Sequence, residues 1–268
     1  MNKKEGFKVL FNNPFAVLKE GVKVQQQKYH KSIIKKKYNL EQLPTINILD
    51  LLPNLDDKIR RYSFLTGTSL ITDLVLLRGL AKSFDKCSYM EIGSWRGESL
   101  ANVSDVVEEC LSITLSAEDM KGLGYPDSFA DVHGVFSKDL ENLTVIEANS
   151  HTFDFSSLNK KFDLIFVDGD HSYGGVLNDT KKVFNLRRES QSIIVWHDYA
   201  FNTEDVRYTT MKAILDGIPE EYHKNLYHVS NTMCAVYIEN ANFKTSQIKF
   251  PTYPDKEFTL SVRATKLD

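Results

Sequence analysis

Cysteine is scarce in this 268-residue chain. Cys87, Cys110 and Cys234 are scattered and lack the paired spacing of a zinc or iron–sulfur site. They are expected to be buried free thiols in a reducing compartment rather than a disulfide framework. No apolar run approaches the ~20 residues that cross a bilayer. Lys8, Lys19 and Lys23 interrupt the apolar core that a signal peptide would need. A cytoplasmic location is therefore the default expectation. Charge of one sign is also lacking: the formal net charge is −3, which gives no general reason to expect nucleic acid as partner. Internal repeats and low-complexity segments are absent. So are the Gly-x-Gly-x-x-Gly fingerprint of a dinucleotide site and the Gly-Lys-Ser/Thr of a phosphate loop. What remains is ordinary globular composition, 42% hydrophobic and 26% charged, with length for one main domain plus an extension.

The stretch that organises the chain runs from Lys161 to Tyr199. The apolar run Phe162-Asp163-Leu164-Ile165-Phe166-Val167 ends in Asp168-Gly169-Asp170-His171. A second run, Ser192 to Trp196, ends in His197-Asp198-Tyr199. Short, nearly continuous apolar runs read as buried parallel strands. Between them Val176, Leu177, Thr180, Val183 and Phe184 recur at helical spacing. A strand–helix–strand unit brings both acidic strand ends to one edge of the sheet. In open α/β sheets that carboxyl edge binds ligands, so Asp168, Asp170, His171, His197 and Asp198 should converge there.

Residues 1–60 read as a basic helical extension and 61–268 as the main domain. From Met1 to Lys37 ten lysines face only Glu5 and Glu20, a net +8, interspersed with Phe7, Val9, Leu10, Phe11, Phe15, Val17 and Leu18. One reading is contact with an anionic membrane surface or an acidic partner. The blander one is a lysine-covered helix packed on the main domain, interrupted or restarted by Pro14. Next, Leu70 to Ala81 is apolar at helical spacing, with Thr68 or Ser69 as N-cap, Asp73 near the first turn and an end near Phe84.

A short strand then ends at Glu91-Ile92, Gly93 and Gly97 flank a tight turn, and a helix follows over 99–107. Glycines let a ligand approach the backbone, and a helix N-terminus offers free N–H groups. Further strands are expected at 111–115, within 143–150 (a strand and the loop after it), and at 227–229 and 234–238, the last two antiparallel at the sheet edge, with another over 258–262. A helix is expected over 206–215, and Gly122, Gly124 and Pro126 mark a loop over the site.

Glu91-Ile92-Gly93-Ser94-Trp95-Arg96-Gly97, Val167-Asp168-Gly169-Asp170-His171-Ser172-Tyr173 and Trp196-His197-Asp198-Tyr199 together resemble the class I S-adenosylmethionine-dependent methyltransferases. Within these they are similar to small-molecule O-methyltransferases, including macrolide-sugar methyltransferases and cephalosporin-hydroxylase-like relatives. The resemblance spans roughly residues 68–240. It implies a Rossmann-like seven-stranded sheet with helices on both faces, S-adenosylmethionine as cofactor, and O-methylation of a small molecule or sugar hydroxyl. It assigns cofactor binding to Glu91, Gly93, Ser94, Arg96, Gly97 and Asp168, the ribose to Glu118 or Asp119, and the adenine side to Asn149 and Ser150. Asp168 and Asp198 become ligands of Mg²⁺ or another divalent metal. His197, where relatives often carry an acid, adds a nitrogen donor that suits a transition metal better. His171 takes the role of general base, with Asp170 to orient it or to bind metal; its unperturbed pKa of about 6.5 suits proton removal at neutral pH. The bland alternatives are a helix-capping His171 and a structural brace at His197-Asp198. The partner expected is a small-molecule acceptor and not nucleic acid; peripheral membrane contact through the basic N-terminus and homo-oligomer formation are admitted. A nicotinamide-dependent oxidoreductase is weaker without the phosphate fingerprint. A non-catalytic cofactor-binding scaffold in glycan assembly is the alternative outside enzymes.

Overall fold

The computed structural model describes residues 13–267. The apolar residues Phe7, Val9, Leu10 and Phe11 and the lysines before residue 13 lie outside the described residues.

Pro14 stands at the start of a helix, in agreement with the restart expected there. Helix α1 runs Pro14–Tyr38 with proline in its first turn, where the missing N–H costs nothing. It ends at Asn39, whose φ of 54° is the left-handed cap conformation. Its C-terminal half packs on the domain through buried His30 and Ile34. Farther toward the N-terminus, Phe15, Leu18 and Val22 are exposed.

Beyond α1 the chain enters the sheet at once. Strand β1 (Thr45–Ile46) is followed by the one-turn helix α2 (Ile48–Leu51). Then come α3 (Ile71–Lys82), β2 (Ser88–Ile92), α4 (Glu98–Val103), β3 (Glu109–Thr114), the short α5 (Ala117–Gly122) and α6 (Asp127–Ala130), and β4 (Leu143–Glu147). The second half holds β5 (Leu164–Val167), α7 (Tyr173–Phe184), β6 (Ile193–Trp196), the hairpin β7 (Ala200–Asn202) and β8 (Asp205–Val206), α8 (Tyr208–Gly217), β9 (Leu226–Val229), β10 (Ala235–Tyr237) and β11 (Thr245–Ser246).

The main sheet has nine strands in the order β11-β1-β9-β10-β6-β5-β2-β3-β4, not the seven expected. The seven are all there; the additions are the two-residue strands β1 and β11, beyond β9. β1 pairs parallel to β9, and β11 antiparallel to β1. They cover an edge whose N–H and C=O groups would otherwise lie open. β9 and β10 are antiparallel as expected, but β9 is no longer at the edge: β1 lies beside it and β11 is outermost. The segment over 258–262 forms no strand and is exposed.

Alternation along the central strands divides the core. Met90, Ile92, Ile165, Val167, Ile194 and Trp196 face the layer of α7 and α8. Tyr89, Leu164, Phe166 and Val195 face the layer of α3 and α4. Each such side chain, fully buried, contributes roughly 1.5–3 kcal/mol. Glu91 shares its face with Tyr89, and this register decides where its carboxyl goes.

The chain reverses direction between β2 and β5. From β2 it proceeds to β3 and β4 on one side, then returns to β5 on the other, and β2, β3, β4, β5 and β6 are all parallel. A crevice at the carboxyl ends of such a switch point is the general ligand position of open α/β sheets. The turn after β2 and the loop after β5 flank it.

Candidate active site

Gly93 and Gly97 both have left-handed backbones, with φ of 84° and 79°. At Gly93 the requirement is double: a Cβ there would lie 2.3 Å from the backbone oxygen of Asp168. The glycine lets the β2 turn press against the end of β5, where the Asp168 N–H donates to the Ile92 carbonyl at 2.9 Å. A Cβ on Gly97 would meet the Ser137 side chain at 2.4 Å.

Three residues assigned to cofactor binding hold this turn from behind. Glu91 is fully buried; its carboxyl accepts hydrogen bonds from the Tyr89 hydroxyl (2.6 Å) and the Ser99 hydroxyl (2.7 Å). Burial pushes its pKa up to about 8, against the opposing effect of those two bonds. Arg96 is buried and occupied: it pairs with Glu98, donates to Thr66 and Thr68, and stacks over Trp95. Ser94 is buried and accepts from the Ser112 hydroxyl at 2.9 Å. On the far side of the crevice, Glu118 and Asp119 are exposed in the first turn of α5, whose N-cap is Ser116. Asn149 and Ser150 lie in the loop after β4, which Lys182 clamps by donating to the carbonyls of Ser150, His151 and Phe153. Gly122, Gly124 and Pro126 fall between or within two short helices rather than in one open loop.

The ends of β5 and β6 bring the chemistry together. Asp168, His197 and Asp198 offer one ligating atom each, and these atoms all lie within 4.8 Å of one another. His197 Nδ1 is 3.0 Å from Asp168 Oδ1 and 3.8 Å from Asp198 Oδ1, yet among the described residues this buried nitrogen has no hydrogen-bond partner. Asp168 stands at ion-pair distance from it. Burial lowers the pKa of the ring, but the carboxylates of Asp168 and Asp73 outweigh it and hold the imidazole well above its ordinary value. The other ring nitrogen, Nε2, lies 3.2 Å from Asp73 Oδ2.

Asp198 has a left-handed φ of 57°, which turns the chain into the β7–β8 hairpin. Its Oδ2 is 3.1 Å from His171 Nδ1 and 3.2 Å from Arg207 Nη1. His171 is half exposed. It does not cap α7; Ser172 does, its hydroxyl accepting from the Gly175 N–H. Asp170 does not orient His171. Its carboxylate accepts from the Ser172 backbone (2.9 Å) and hydroxyl (2.6 Å), closing the turn into α7. The carboxylate nearest the His171 ring is that of Asp198, at ion-pair distance.

Two residues at this site had no distinguishing mark in the sequence. Asp73 is wholly buried and faces His197; its position in the first turn of α3 suggested only an interaction with the helix dipole. Neither Thr68 nor Ser69 caps that helix: it starts one residue later, from Leu70, whose N–H donates to the Asp73 carboxylate. Arg207 reaches Asp198 from the end of the hairpin, its guanidinium 4.6 Å over the Phe201 ring.

Residues 90–199 match a family model described as a methyltransferase domain. That span holds the Gly93–Gly97 turn, Asp168, His171, His197 and Asp198. No curated protein matches the sequence. Among solved structures, cofactor-bound Rv0187 from MTB aligns at 14% identity and TM-score 0.44, over 66% of this chain and 84% of that one. An O-methyltransferase from Bacillus cereus, in complex with SAH, aligns at 12% and 0.43, over 72% and 86%. The O-methyltransferase TomG from Streptomyces achromogenes, involved in tomaymycin synthesis and in complex with SAM, aligns at 11% and 0.41, over 79% and 88%. Among the described residues no helix is long and apolar enough to cross a membrane.

Proposed function

We propose that the methyltransferase domain of this chain transfers the methyl group of S-adenosylmethionine to a hydroxyl of a small acceptor, a sugar or glycoside in the first instance, with help from a divalent metal. The observation that carries this reading is the cluster at the ends of β5 and β6. A buried ring nitrogen without a hydrogen bond faces two carboxylates, and a half-exposed histidine stands against the second of them.

The cluster fits a cation. Asp168, His197 and Asp198 would hold it, with two oxygens and one nitrogen. That mixed set suits Mn²⁺, Fe²⁺, Co²⁺ or Zn²⁺ better than Mg²⁺, which prefers oxygen alone. A cation there supplies positive charge beside a substrate oxygen and makes its hydroxyl easier to ionise. The cofactor would lie in the crevice at the switch point. The glycine turn would lie on one side, with Glu118 or Asp119 toward the ribose and Asn149 and Ser150 toward the adenine.

The rest is done by the chain's own side chains. A neutral alcohol is a weak nucleophile and must lose its proton as it attacks. His171 Nδ1 is turned to Asp198, which leaves Nε2 to accept that proton. Half exposed, the ring can then release the proton to water. Asp198 holds the ring and balances its charge, as the carboxylate of a catalytic triad does. Positioning supplies much of the remaining rate.

Calorimetric titration with S-adenosylhomocysteine, with and without Mn²⁺, is the test, with NAD⁺ as the contrasting ligand. Binding of S-adenosylhomocysteine and not of NAD⁺ is expected, followed by methyl transfer to at least one hydroxylated acceptor. Binding of NAD⁺ alone would overturn the cofactor assignment. Turnover of catechols or small hydroxy acids, with none of sugars, would overturn the acceptor class. Cofactor binding with no turnover on any hydroxyl, and a His171→Ala variant that keeps cell function, would favour a scaffold.

A further inference from the structure

We infer that Asp73 is the positioning residue of the metal site, fixing which nitrogen of His197 faces the metal. The inference rests on the metal reading above and adds a residue that lies 95 positions or more from the ligands in sequence.

Asp73 is wholly buried on α3, and all of its acceptor capacity is used. Oδ2 takes the Leu70 N–H at 2.8 Å and faces His197 Nε2 at 3.2 Å. Oδ1 takes the Met233 N–H at 2.8 Å and the Cys234 thiol at 3.5 Å. A carboxylate has no proton to offer, so the hydrogen between Asp73 and His197 belongs to Nε2. When the imidazole is neutral, the lone pair is then on Nδ1, the nitrogen aimed between Asp168 and Asp198. Metal-ligating histidines are commonly held in this way, with the second ring N–H on a carboxylate that fixes tautomer and orientation and makes the ligand more basic.

The anchoring is rigid from three sides. Leu70 belongs to the start of α3, while Met233 and Cys234 lead into β10, the strand antiparallel to β6. Asp73 thus ties the helix before β2 to the turn before β10, with His197 between them. A buried carboxylate that served only to cap α3 would have no reason to face a ring nitrogen at hydrogen-bond distance.

The test has two parts, neither of which reads turnover. First, the wild-type chain, with ¹⁵N-labelled histidine, is loaded with ¹¹³Cd²⁺, and the ring nitrogen of His197 that couples to cadmium is identified. Nδ1 is expected, with the proton on Nε2. Coupling to Nε2 overturns the inference without touching the metal reading. Binding of no metal by the wild type, or binding unaffected by Asp168→Asn, overturns the metal reading and this inference with it. Second, Co²⁺ affinity and the Co²⁺ absorption spectrum are compared for wild type and Asp73→Asn. In either orientation the amide leaves one backbone N–H facing an NH₂ and removes the charge behind the ring. A loss of about 10–100-fold in Co²⁺ affinity is expected, with S-adenosylhomocysteine affinity within threefold of wild type. Unchanged Co²⁺ affinity, or a parallel loss of both ligands, overturns the positioning role. If the variant does not fold, the cadmium experiment on the wild type still decides.

Discussion

Glu91 offers a test of the fold's electrostatics in one atom's exchange. Its carboxyl is fully buried between Tyr89 and Ser99, and burial pushes its pKa up to about 8. In the unfolded chain it reverts to the ordinary glutamate value near 4.5. Between these values the folded protein keeps a proton that the unfolded chain has released. Stability from this group is therefore fully present below about pH 4.5 and is lost as pH rises, at about 1.4 kcal/mol per pH unit. Above pH 8 the loss levels off at roughly 3–5 kcal/mol. Glu91→Gln has the shape of the protonated acid and cannot ionise, so it should escape the loss. The two hydroxyls that donate to Glu91 can rotate to serve the amide. Urea unfolding of both proteins at pH 5, 7 and 9 is the assay, because their difference cancels every other titrating group. Near-equal stability is expected at pH 5, with Glu91→Gln the more stable protein by about 3 kcal/mol or more at pH 9. Parallel pH profiles would refute the reasoning and place an ionised carboxylate in the core.

Gly93→Ala should cost about 2–4 kcal/mol, from a left-handed φ and a 2.3 Å approach to the Asp168 backbone, which cannot swing aside. Gly122→Ala, with nothing within 4 Å, is the control in the same denaturation series and should be neutral or slightly stabilising. Asp216→Asn should cost about 2–4 kcal/mol, because this half-hidden carboxylate accepts from Lys37 and Tyr38 of α1 and from Tyr173 and Lys212. Burial opposes its ionisation, but these donors hold its pKa well below the usual range. The loss should thus be seen at neutral pH and fade only as pH falls below that range, and amide exchange should show α1 loosening first. Asp198→Asn, which leaves His171 without its charged partner, should lower turnover by about 10²–10⁴-fold with S-adenosylhomocysteine affinity nearly unchanged; retention of full turnover would remove Asp198 from the base.

The strands and the ligand edge were legible in the sequence because each is a local pattern. Leu164 to Val167 and Ile193 to Trp196 are continuous apolar runs, and such runs form strands buried on both faces. Their acidic ends then had to meet, and Asp168, His197 and Asp198 do meet. Two added strands escaped notice because Thr45-Ile46 and Thr245-Ser246 are too short for any periodicity; only the open edge of β9 explains them. Within the site, what the sequence does not show is which way a side chain leaves the backbone. Glu91 and Asp168 both sit at strand ends, but the pleat sends Glu91 toward α4 and the core. Asp170 looks like the partner of His171 because it is adjacent, yet adjacency in a turn favours bonds to its own backbone, and it closes on Ser172 instead. The partners that matter come from far away in the chain. Asp198 reaches His171 across the ends of β5 and β6, Arg207 reaches Asp198 from a hairpin, and Asp73 reaches His197 from the first turn of a helix. An aspartate in that turn reads as a favourable dipole interaction, worth a fraction of a kilocalorie at the surface. What separates Asp73 from such a residue is burial alone, and burial is decided by β10 packing beside β6, an arrangement no local pattern can announce. A buried carboxylate must find donors for both oxygens or lose its charge; that requirement drew together Leu70, Met233, Cys234 and His197, and so gave the cluster its fixed shape.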